Sequence, residues 1–127
     1  MAPIQVQEVS RADAAQAMRS AGLRAPLDVH TPESIAAYGE CFELRTGDGC
    51  GVFVLRREAA VMWIDGAGAR VHSRGLTDAG LVLCEQIARQ AGCTEIAFET
   101  TRRGLVRKSQ QHGYRVAGYI MKKAVTP

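Results

Sequence analysis

The fold is decided by residues 60–98, whose sequence is AVMWIDGAGARVHSRGLTDAGLVLCEQIARQAGCTEIAF. The uninterrupted apolar run over 60–64 is typical of a strand that is covered on both faces. Apolar residues then recur at helical spacing, which predicts an amphipathic helix over 78–90 that Gly92 ends. Residues 94–100 predict a second buried strand. The residues of the helical stripe are Leu81, Cys84, Ile87, Ala88 and Ala91.

This strand–helix–strand unit predicts two parallel, neighbouring strands, because the helix returns the chain to the same end of the sheet. Ligands of such sheets bind beyond the carboxyl ends of the strands. We therefore expect a ligand crevice at the shared carboxyl end, where Asp65 and Glu99 lie. We expect the rest of the sheet to be antiparallel.

The residues before this unit predict an edge strand followed by two helices. Residues 4–9 alternate apolar and polar side chains, which favours a strand with one buried face. Ser10 is suited to cap a helix that Gly22 ends. Thr31 is suited to cap a second, short helix that begins at Pro32.

Two further strands and a final helix and strand complete the predicted order. The turn sequence over 46–49, Thr-Gly-Asp-Gly, joins two strands into a hairpin. The sequence over 65–68, Asp-Gly-Ala-Gly, is predicted to end the central strand. Residues 102–112 predict the last helix and residues 114–125 the last strand. The expected fold is an α/β (α+β) mixed sheet of order β-α-α-β-β-β-α-β-α-β, in one domain over residues 1–127.

Composition and charge disfavour several classes of protein. The 127 residues carry a net charge of +3, with basic side chains dispersed among acidic ones, which disfavours a nucleic-acid partner. No apolar run has the length of a membrane span, and no leader pattern begins the sequence. The four cysteines and three histidines lack metal-ligand spacing, so we expect no metal site. We expect reduced thiols in a cytoplasmic protein, with Cys84 as a small buried hydrophobe.

The order of elements resembles that of the GNAT acetyltransferase superfamily over most of the chain, most specifically from Met62 to Lys123. The family's phosphate-binding loop, Q/R-x-x-G-x-G/A, is similar to residues 74–80, Arg-Gly-Leu-Thr-Asp-Ala-Gly. The family's helix-ending pattern, leucine-tyrosine-x-x-x-glycine-phenylalanine, is similar to residues 108–114, Lys-Ser-Gln-Gln-His-Gly-Tyr. The resemblance implies N-acetyl transfer from acetyl-CoA to an amine acceptor. The family's seventh strand is short or missing here.

The resemblance also implies a set of cofactor-binding residues. Backbone amides and the positive end of a helix dipole attract the diphosphate of CoA. A backbone amide of the fourth strand polarises the thioester carbonyl in the family, and a basic residue of the last helix would reach the 3′-phosphate. The implied residues are Met62, Trp63, Ile64, Arg74, Gly75, Thr77, Ala79, Gly80 and Arg103.

The phosphate-binding loop departs from the family's pattern, which suggests a degenerate member. If Gly80 takes the last position of the motif, Asp78 stands where the family prefers glycine and would repel the phosphates. Asp78 or Thr77 would then cap the helix instead. A shift by one residue brings Arg74 into the first position and restores part of the site.

Proton transfer has several candidate groups. Ser109 occupies the position of the family's tyrosine, where it is either a relay through water or a packing residue. Tyr114 and Tyr119 are alternative donors. Asp65 and Glu99, at the carboxyl ends of the parallel strands, are candidate general bases for the acceptor amine.

Three functions remain open on the sequence. The first is an active N-acetyltransferase. The second is a non-catalytic subunit that binds a protein partner or forms a homo-oligomer. Residues 102–105, Arg-Arg-Gly-Leu, and the following Gly113-Tyr114 resemble small GNAT-like proteins of bacteriophages, so a virion component is one form of this hypothesis. The third, a nucleic-acid binder that uses the basic last helix, ranks lowest.

Overall fold

The structure, a computed structural model, describes residues 4–23, 25–27 and 29–127. Their strands form one five-stranded sheet in the order β1-β2-β3-β4-β5, in which β4 and β5 are parallel and the other pairs antiparallel. The mixed α/β fold and the parallel pair are confirmed. The elements are β1 (Gln5–Glu8), α1 (Arg11–Ser20), α2 (Pro32–Tyr38), β2 (Glu40–Arg45), β3 (Cys50–Glu58), β4 (Val61–Val71), α3 (Leu76–Gln90), β5 (Glu95–Phe98) and α4 (Arg103–Gln110).

Helices α1 and α2 begin where their predicted caps lie. The Ser10 hydroxyl accepts a hydrogen bond from the backbone N–H of Asp13 at 3.1 Å. The side chains of Thr31 and Ser34 each accept from the other's backbone N–H, at 3.2 and 2.9 Å. Pro32 takes the first position of α2. These bonds satisfy backbone donors that a helix start leaves open, so both predicted starts are confirmed.

Strand β4 is longer than the sequence predicts, because its glycines serve packing rather than a turn. The strand continues through 65–68 and ends at Val71. A Cβ atom at Gly68 would lie 2.9 Å from the Cβ of Ala21 and 3.1 Å from the Cα of Met18. Helix α1 therefore lies directly on the backbone of β4, and the prediction that the strand ends at 65–68 is wrong.

A bulge interrupts β4 at Asp65. Val54 of β3 pairs with Gly66, whereas the next residue, Leu55, pairs with Ile64. Asp65 is thus an extra residue on β4. A bulge of this kind bends its strand and increases the local twist, so β4 changes direction immediately after Ile64.

The sheet separates two apolar cores. Helices α1 and α2 cover one face, where Val52 and Val54 of β3 point, and α3 covers the other, where Phe53 and Leu55 point. Cys84 of α3 is 3% exposed, and burial raises the pKa of its thiol to about 12. Its prediction as a small buried hydrophobe is confirmed.

Two predictions at the ends of the sheet are wrong, the buried face of β1 and the last strand, whereas the edge position of β1 is confirmed. All of β1 is exposed, because α1 and α2 lie over β2, β3 and β4 instead. Residues 114–127 contain no strand. A cleft of about 800 Å³, here called the β5 slot, lies between β5 and residues 113–120. Strand-favouring side chains alone do not make a strand without a hydrogen-bonded neighbour.

No helix in the described part of the chain is long and apolar enough to cross a membrane. Within residues 4–23, 25–27 and 29–127, no group of three or more His, Cys, Asp or Glu side chains is arranged to hold a metal ion.

Candidate functional site

Strands β4 and β5 part at the end of their pairing. They run in parallel from Val61 opposite Glu95 to Ile64 opposite Phe98. There β5 ends, whereas β4 bends at the Asp65 bulge and continues along β3. Beyond Ile64 no described residue pairs with β4 on its β5 side, so backbone groups on that side are open. The predicted gap between two neighbouring, co-directed strands is present.

A cleft of about 560 Å³ lies at this parting. We call it the β4–β5 cleft. Trp63, Asp65, Phe98 and Glu99 line it, together with residues of α2 and of the segment before α2. The strands thus bring two aromatic rings and both predicted general bases to one concave surface, the usual form of a small-molecule site.

The carboxylate of Asp65 is already bonded. It accepts hydrogen bonds from Arg56 Nε at 2.7 Å and Nη2 at 3.2 Å. Arg56 also bonds Glu58 at 2.6 Å, and its guanidinium lies 5.9 Å from the ring centroid of Trp63. The bonds to Asp65 and then Glu58 raise the pKa of Arg56. Asp65 therefore holds a cation in the wall of the cleft and is a poor candidate for a general base.

Glu99 is the more available carboxylate. It follows β5 directly, is exposed, and lines both the β4–β5 cleft and the β5 slot. No described residue makes a hydrogen bond or an ion pair with it. A carboxylate at the cleft that no described residue binds can accept a proton from an ammonium group.

Ser109 serves packing. Its side chain is buried, and its hydroxyl donates a hydrogen bond to the backbone oxygen of Val106 at 2.9 Å. Its own backbone oxygen accepts from the N–H groups of His112 and Tyr114. These bonds close the end of α4, so the Ser109 proton is committed within the helix.

Tyr114, the first of the two predicted alternative donors, lines the β5 slot rather than the β4–β5 cleft. Its ring packs edge-on against Phe98, with centroids 5.2 Å apart, and it lines the β5 slot with Glu99. The phenol oxygen is buried and has no hydrogen-bond partner among the described residues. Burial, followed by the charges of Cys84 and Glu85, raises the pKa of Tyr114 to about 12. The other predicted donor, Tyr119, is 91% exposed.

The first turn of α3 is open. The helix begins at Leu76, two residues earlier than predicted, with Gly75 as its N-cap and no side-chain cap. Capping by Asp78 or Thr77 is therefore wrong, because the chain becomes helical before it reaches them. No described residue accepts a hydrogen bond from the backbone N–H groups of Thr77 and Asp78.

The residues of the phosphate-binding motif, 74–80, divide between the core side of α3 and its exposed start. A Cβ atom at Gly80 would lie 3.7 Å from Leu44 of the sheet, so Gly80 faces the core side of α3. Ala79 packs against the same core. Arg74, Gly75 and Thr77 are exposed at the helix start.

Asp78 makes contacts that sequence spacing could not reveal. Its carboxylate lies 2.8 Å from His112 Nε2 and 3.1 Å from Lys108 Nζ. The hydrogen bond with His112, and then that with Lys108, lowers the pKa of Asp78. The only hint in the sequence is the four-residue spacing of Lys108 and His112, which brings them to one side of α4.

The remaining predicted residues are distributed as follows. Trp63 and Ile64 line the β4–β5 cleft, whereas Met62 is buried in the core beneath α3. Arg103 begins α4 and is exposed, and it lines neither cleft. The structure therefore gathers two groups, one at the cleft and one at the start of α3, and leaves Met62, Ala79, Gly80, Ser109 and Arg103 outside both.

No family model and no curated protein sequence matches this chain. Solved structures do match it over nearly its whole length. A transcriptional regulator from Bacillus halodurans C-125 has 17% sequence identity and a TM-score of 0.64, covering 97% of this chain and 100% of that one. The GNAT family acetyltransferase SP0256 from Streptococcus pneumoniae TIGR4 has 14% identity and a TM-score of 0.62, covering 97% and 98%.

A third structure similar to this chain is the aminoglycoside N-acetyltransferase AAC(6')-Iy in complex with CoA. It has 13% identity and a TM-score of 0.60, and the match covers 98% of this chain and 96% of that one. At these identities the likeness establishes the fold. The chain has the GNAT fold, as its resemblance in sequence implied.

Proposed function

We propose that the chain is an N-acetyltransferase that moves the acetyl group of acetyl-CoA to an amine bound in the β4–β5 cleft. One observation carries this proposal. The parallel strands part at the Asp65 bulge, and β4 leads through a short loop into a helix whose first turn is uncapped. The shared fold with a CoA-bound acetyltransferase supports it.

The start of α3 fits a diphosphate. The N–H groups of Thr77 and Asp78 have no acceptor among the described residues, and the positive end of the helix dipole adds to their attraction for an anion. Lys108 offsets the negative charge of Asp78, and His112 hydrogen-bonds its carboxylate, so the repulsion expected from the sequence is reduced. Arg74, exposed at the helix start, adds a positive charge.

Acetyl-CoA, when bound, supplies an acetyl group activated as a thioester. The chain's own residues polarise the thioester carbonyl, orient the acceptor amine and move protons. The open backbone side of β4 after Ile64 offers N–H groups for a carbonyl oxygen. Glu99 accepts the proton of the acceptor amine, and the aromatic faces of Trp63 and Phe98 orient the acceptor in the cleft.

Tyr114 is the proposed proton donor to the leaving thiolate. Because its pKa is about 12, the phenol keeps its proton at neutral pH. Its hydroxyl has no competing acceptor among the described residues, unlike that of Ser109.

The cofactor step is tested by thermal unfolding with acetyl-CoA. A ligand at 100 times its dissociation constant stabilises a folded chain by about 2.7 kcal/mol. Thr77→Pro removes one unbonded N–H from the first turn of α3, where proline is tolerated. We expect the ligand-induced rise in Tm to be smaller in Thr77→Pro and unchanged in Thr77→Ala, which keeps the N–H. If acetyl-CoA does not change the Tm of the wild-type chain, the proposed enzymatic function is refuted.

A second candidate, the non-catalytic assembly subunit, is supported by a different observation. Residues 114–127 expose several large apolar side chains beside an open sheet edge. A virion component is one form of this candidate, and it predicts no response to acetyl-CoA. A nucleic-acid binder gains no support, because Lys108 pairs with Asp78 and Arg102 bonds the backbone oxygen of Gly22.

A further inference from the structure

Helix α4 buries little of its surface. The structure describes all of its residues, and of these only Ser109 is buried. The placement of a helix in a protein usually comes from the packing of an apolar face. With one buried residue, α4 depends on polar contacts to fix where its last turn lies.

Two such contacts join residues 108–114, here called the α4 end, to the first turn of α3. Asp78 lies in that turn, and its carboxylate accepts a hydrogen bond from His112 Nε2 at 2.8 Å. It also forms an ion pair with Lys108 Nζ at 3.1 Å. Because Lys108 and His112 are four positions apart, they lie on one side of the α4 end. Both contacts therefore hold that side against the start of α3.

The α4 end also places Tyr114. Gly113 has a φ of 90°, a backbone conformation that glycine adopts readily. Its N–H donates to the backbone oxygen of Gln110, and the N–H of Tyr114 donates to that of Ser109. This pair of bonds is the Schellman pattern that ends many helices. Since His112 directly precedes Gly113, one residue in a fixed turn separates the side chain bound by α3 from the tyrosine.

The position of the Tyr114 ring matters for proton transfer. The ring packs edge-on against Phe98, with centroids 5.2 Å apart, and its hydroxyl is buried. Proton transfer requires the donor and the acceptor to lie within hydrogen-bond distance, and a displacement of about 1 Å can lower a rate by about 10²-fold. Partly exposed ion pairs, by contrast, add little stability. A contact that fixes this ring therefore affects the reaction more than it affects the stability of the fold.

We propose that Asp78 is a positioning residue, which holds Tyr114 in place through His112 and so links the first turn of α3 to the proton donor. This role rests on the proposed function, in which Tyr114 protonates the leaving thiolate. It also gives the Asp78 carboxylate two effects of opposite sign. The negative charge weakens the binding of the cofactor phosphates, whereas the bond to His112 supports the chemical step.

Asp78→Ala separates the two effects. We expect acetyl-CoA to bind at least as tightly, because the phosphates lose a repelling neighbour, and kcat to fall by about tenfold or more, because the ring is no longer fixed. Asp78→Asn keeps an oxygen that accepts from His112 and should retain most of kcat. Arg107→Ala is the matched control, since Arg107 is exposed on the same helix, and it should change neither quantity.

A double-mutant cycle tests whether the effect passes through His112. His112→Ala should lower kcat by about the same factor as Asp78→Ala. The double variant should lower it no further, because both substitutions break one link. Each variant is assayed well below its Tm, so that a loss of folded chain does not imitate a loss of kcat.

NMR locates the ring without any reaction. Nuclear Overhauser effects between ring protons of Tyr114 and Phe98 report the contact between the two rings. We expect these signals in the wild type and in Asp78→Asn. We expect them to be weaker in Asp78→Ala and in His112→Ala.

Two results overturn the proposal. If Asp78→Ala keeps the kcat of the wild type, the proton donor does not depend on Asp78, while the proposed function stands. If the contact between the rings is unchanged in both alanine variants, Asp78 only joins the two helices. A wild-type chain without acetyl transfer refutes the proposed function instead, and the ring contact then decides alone whether Asp78 holds Tyr114.

Discussion

Alanine substitution of the β4 glycines tests how α1 packs on the sheet. A Cβ atom at Gly68 would lie 2.9 Å from Ala21 Cβ, 3.1 Å from Met18 Cα and 3.2 Å from the backbone oxygen of Ala17. All three atoms belong to the backbone or to a Cβ of α1, so none can move without the helix. Gly68→Ala must therefore push α1 away from β4.

The expected cost follows from these contacts. Overpacking of this kind lowers the free energy of unfolding by about 1–3 kcal/mol. Gly66→Ala is expected to cost less, because its closest contact, at 2.7 Å, is the Met18 sulfur at the flexible end of a side chain. Gly104→Ala is the control: a Cβ there meets nothing within 4 Å, and alanine favours the helix by about 0.5–1 kcal/mol.

Urea unfolding at neutral pH measures the free energy of unfolding of each of the three variants. Their Tm should fall by roughly 3–5 °C for each kcal/mol of that free energy lost. The predicted order of stability is Gly104→Ala above wild type, then Gly66→Ala, then Gly68→Ala. If Gly68→Ala is as stable as wild type, residues 65–68 are not packed beneath α1, and the turn predicted from the sequence is the better description.

Three further predictions concern the candidate site. Glu99→Gln removes the proposed base and should lower kcat for acetyl transfer by about 10²–10⁴-fold while the acetyl-CoA-induced rise in Tm persists; an unchanged kcat removes Glu99 from the mechanism. Tyr114→Phe deletes a buried hydroxyl that has no described partner, so it should raise the free energy of unfolding by about 1 kcal/mol while lowering kcat. A loss of stability in urea would instead reveal a partner for that hydroxyl. The pKa of Asp78 is lowered from 3.8, so its ion pairs stabilise the fold at neutral pH and this contribution is lost as pH falls through the folded-state pKa. Because Asp78 is partly exposed, the contribution is about 0.5 kcal/mol. Urea unfolding should show the wild type more stable than Asp78→Asn by that amount at neutral pH but not in strong acid. A difference that stays constant at all pH values contradicts a stabilising role for the Asp78 carboxylate.

Local signals predicted those elements whose causes lie within a few residues. The Ser10 and Thr31 caps act over three positions, and both helices begin there. The parallel pairing of β4 and β5 follows from chain connectivity, which sequence order reveals.

Errors arose where a distant element decides the outcome. Gly68 suggests a turn, but it pairs with β3 and leaves room for the close approach of α1, which is far away in sequence. Asp78 suggests a cap or a repelling charge, but Lys108 and His112 bind it across 30 and 34 positions. Residues 114–125 have strand-favouring side chains, yet a strand also needs a neighbour, and no local pattern shows whether one is present.

The most direct test of the proposed function is an NMR titration of the ¹⁵N-labelled chain with acetyl-CoA. The account predicts that the backbone amides of Thr77 and Asp78 shift most, together with those of β4 around the Asp65 bulge, because these N–H groups have no acceptor among the residues that the structure describes. Amides that do not move at saturating acetyl-CoA, or shifts confined to surfaces away from α3 and β4, would contradict it.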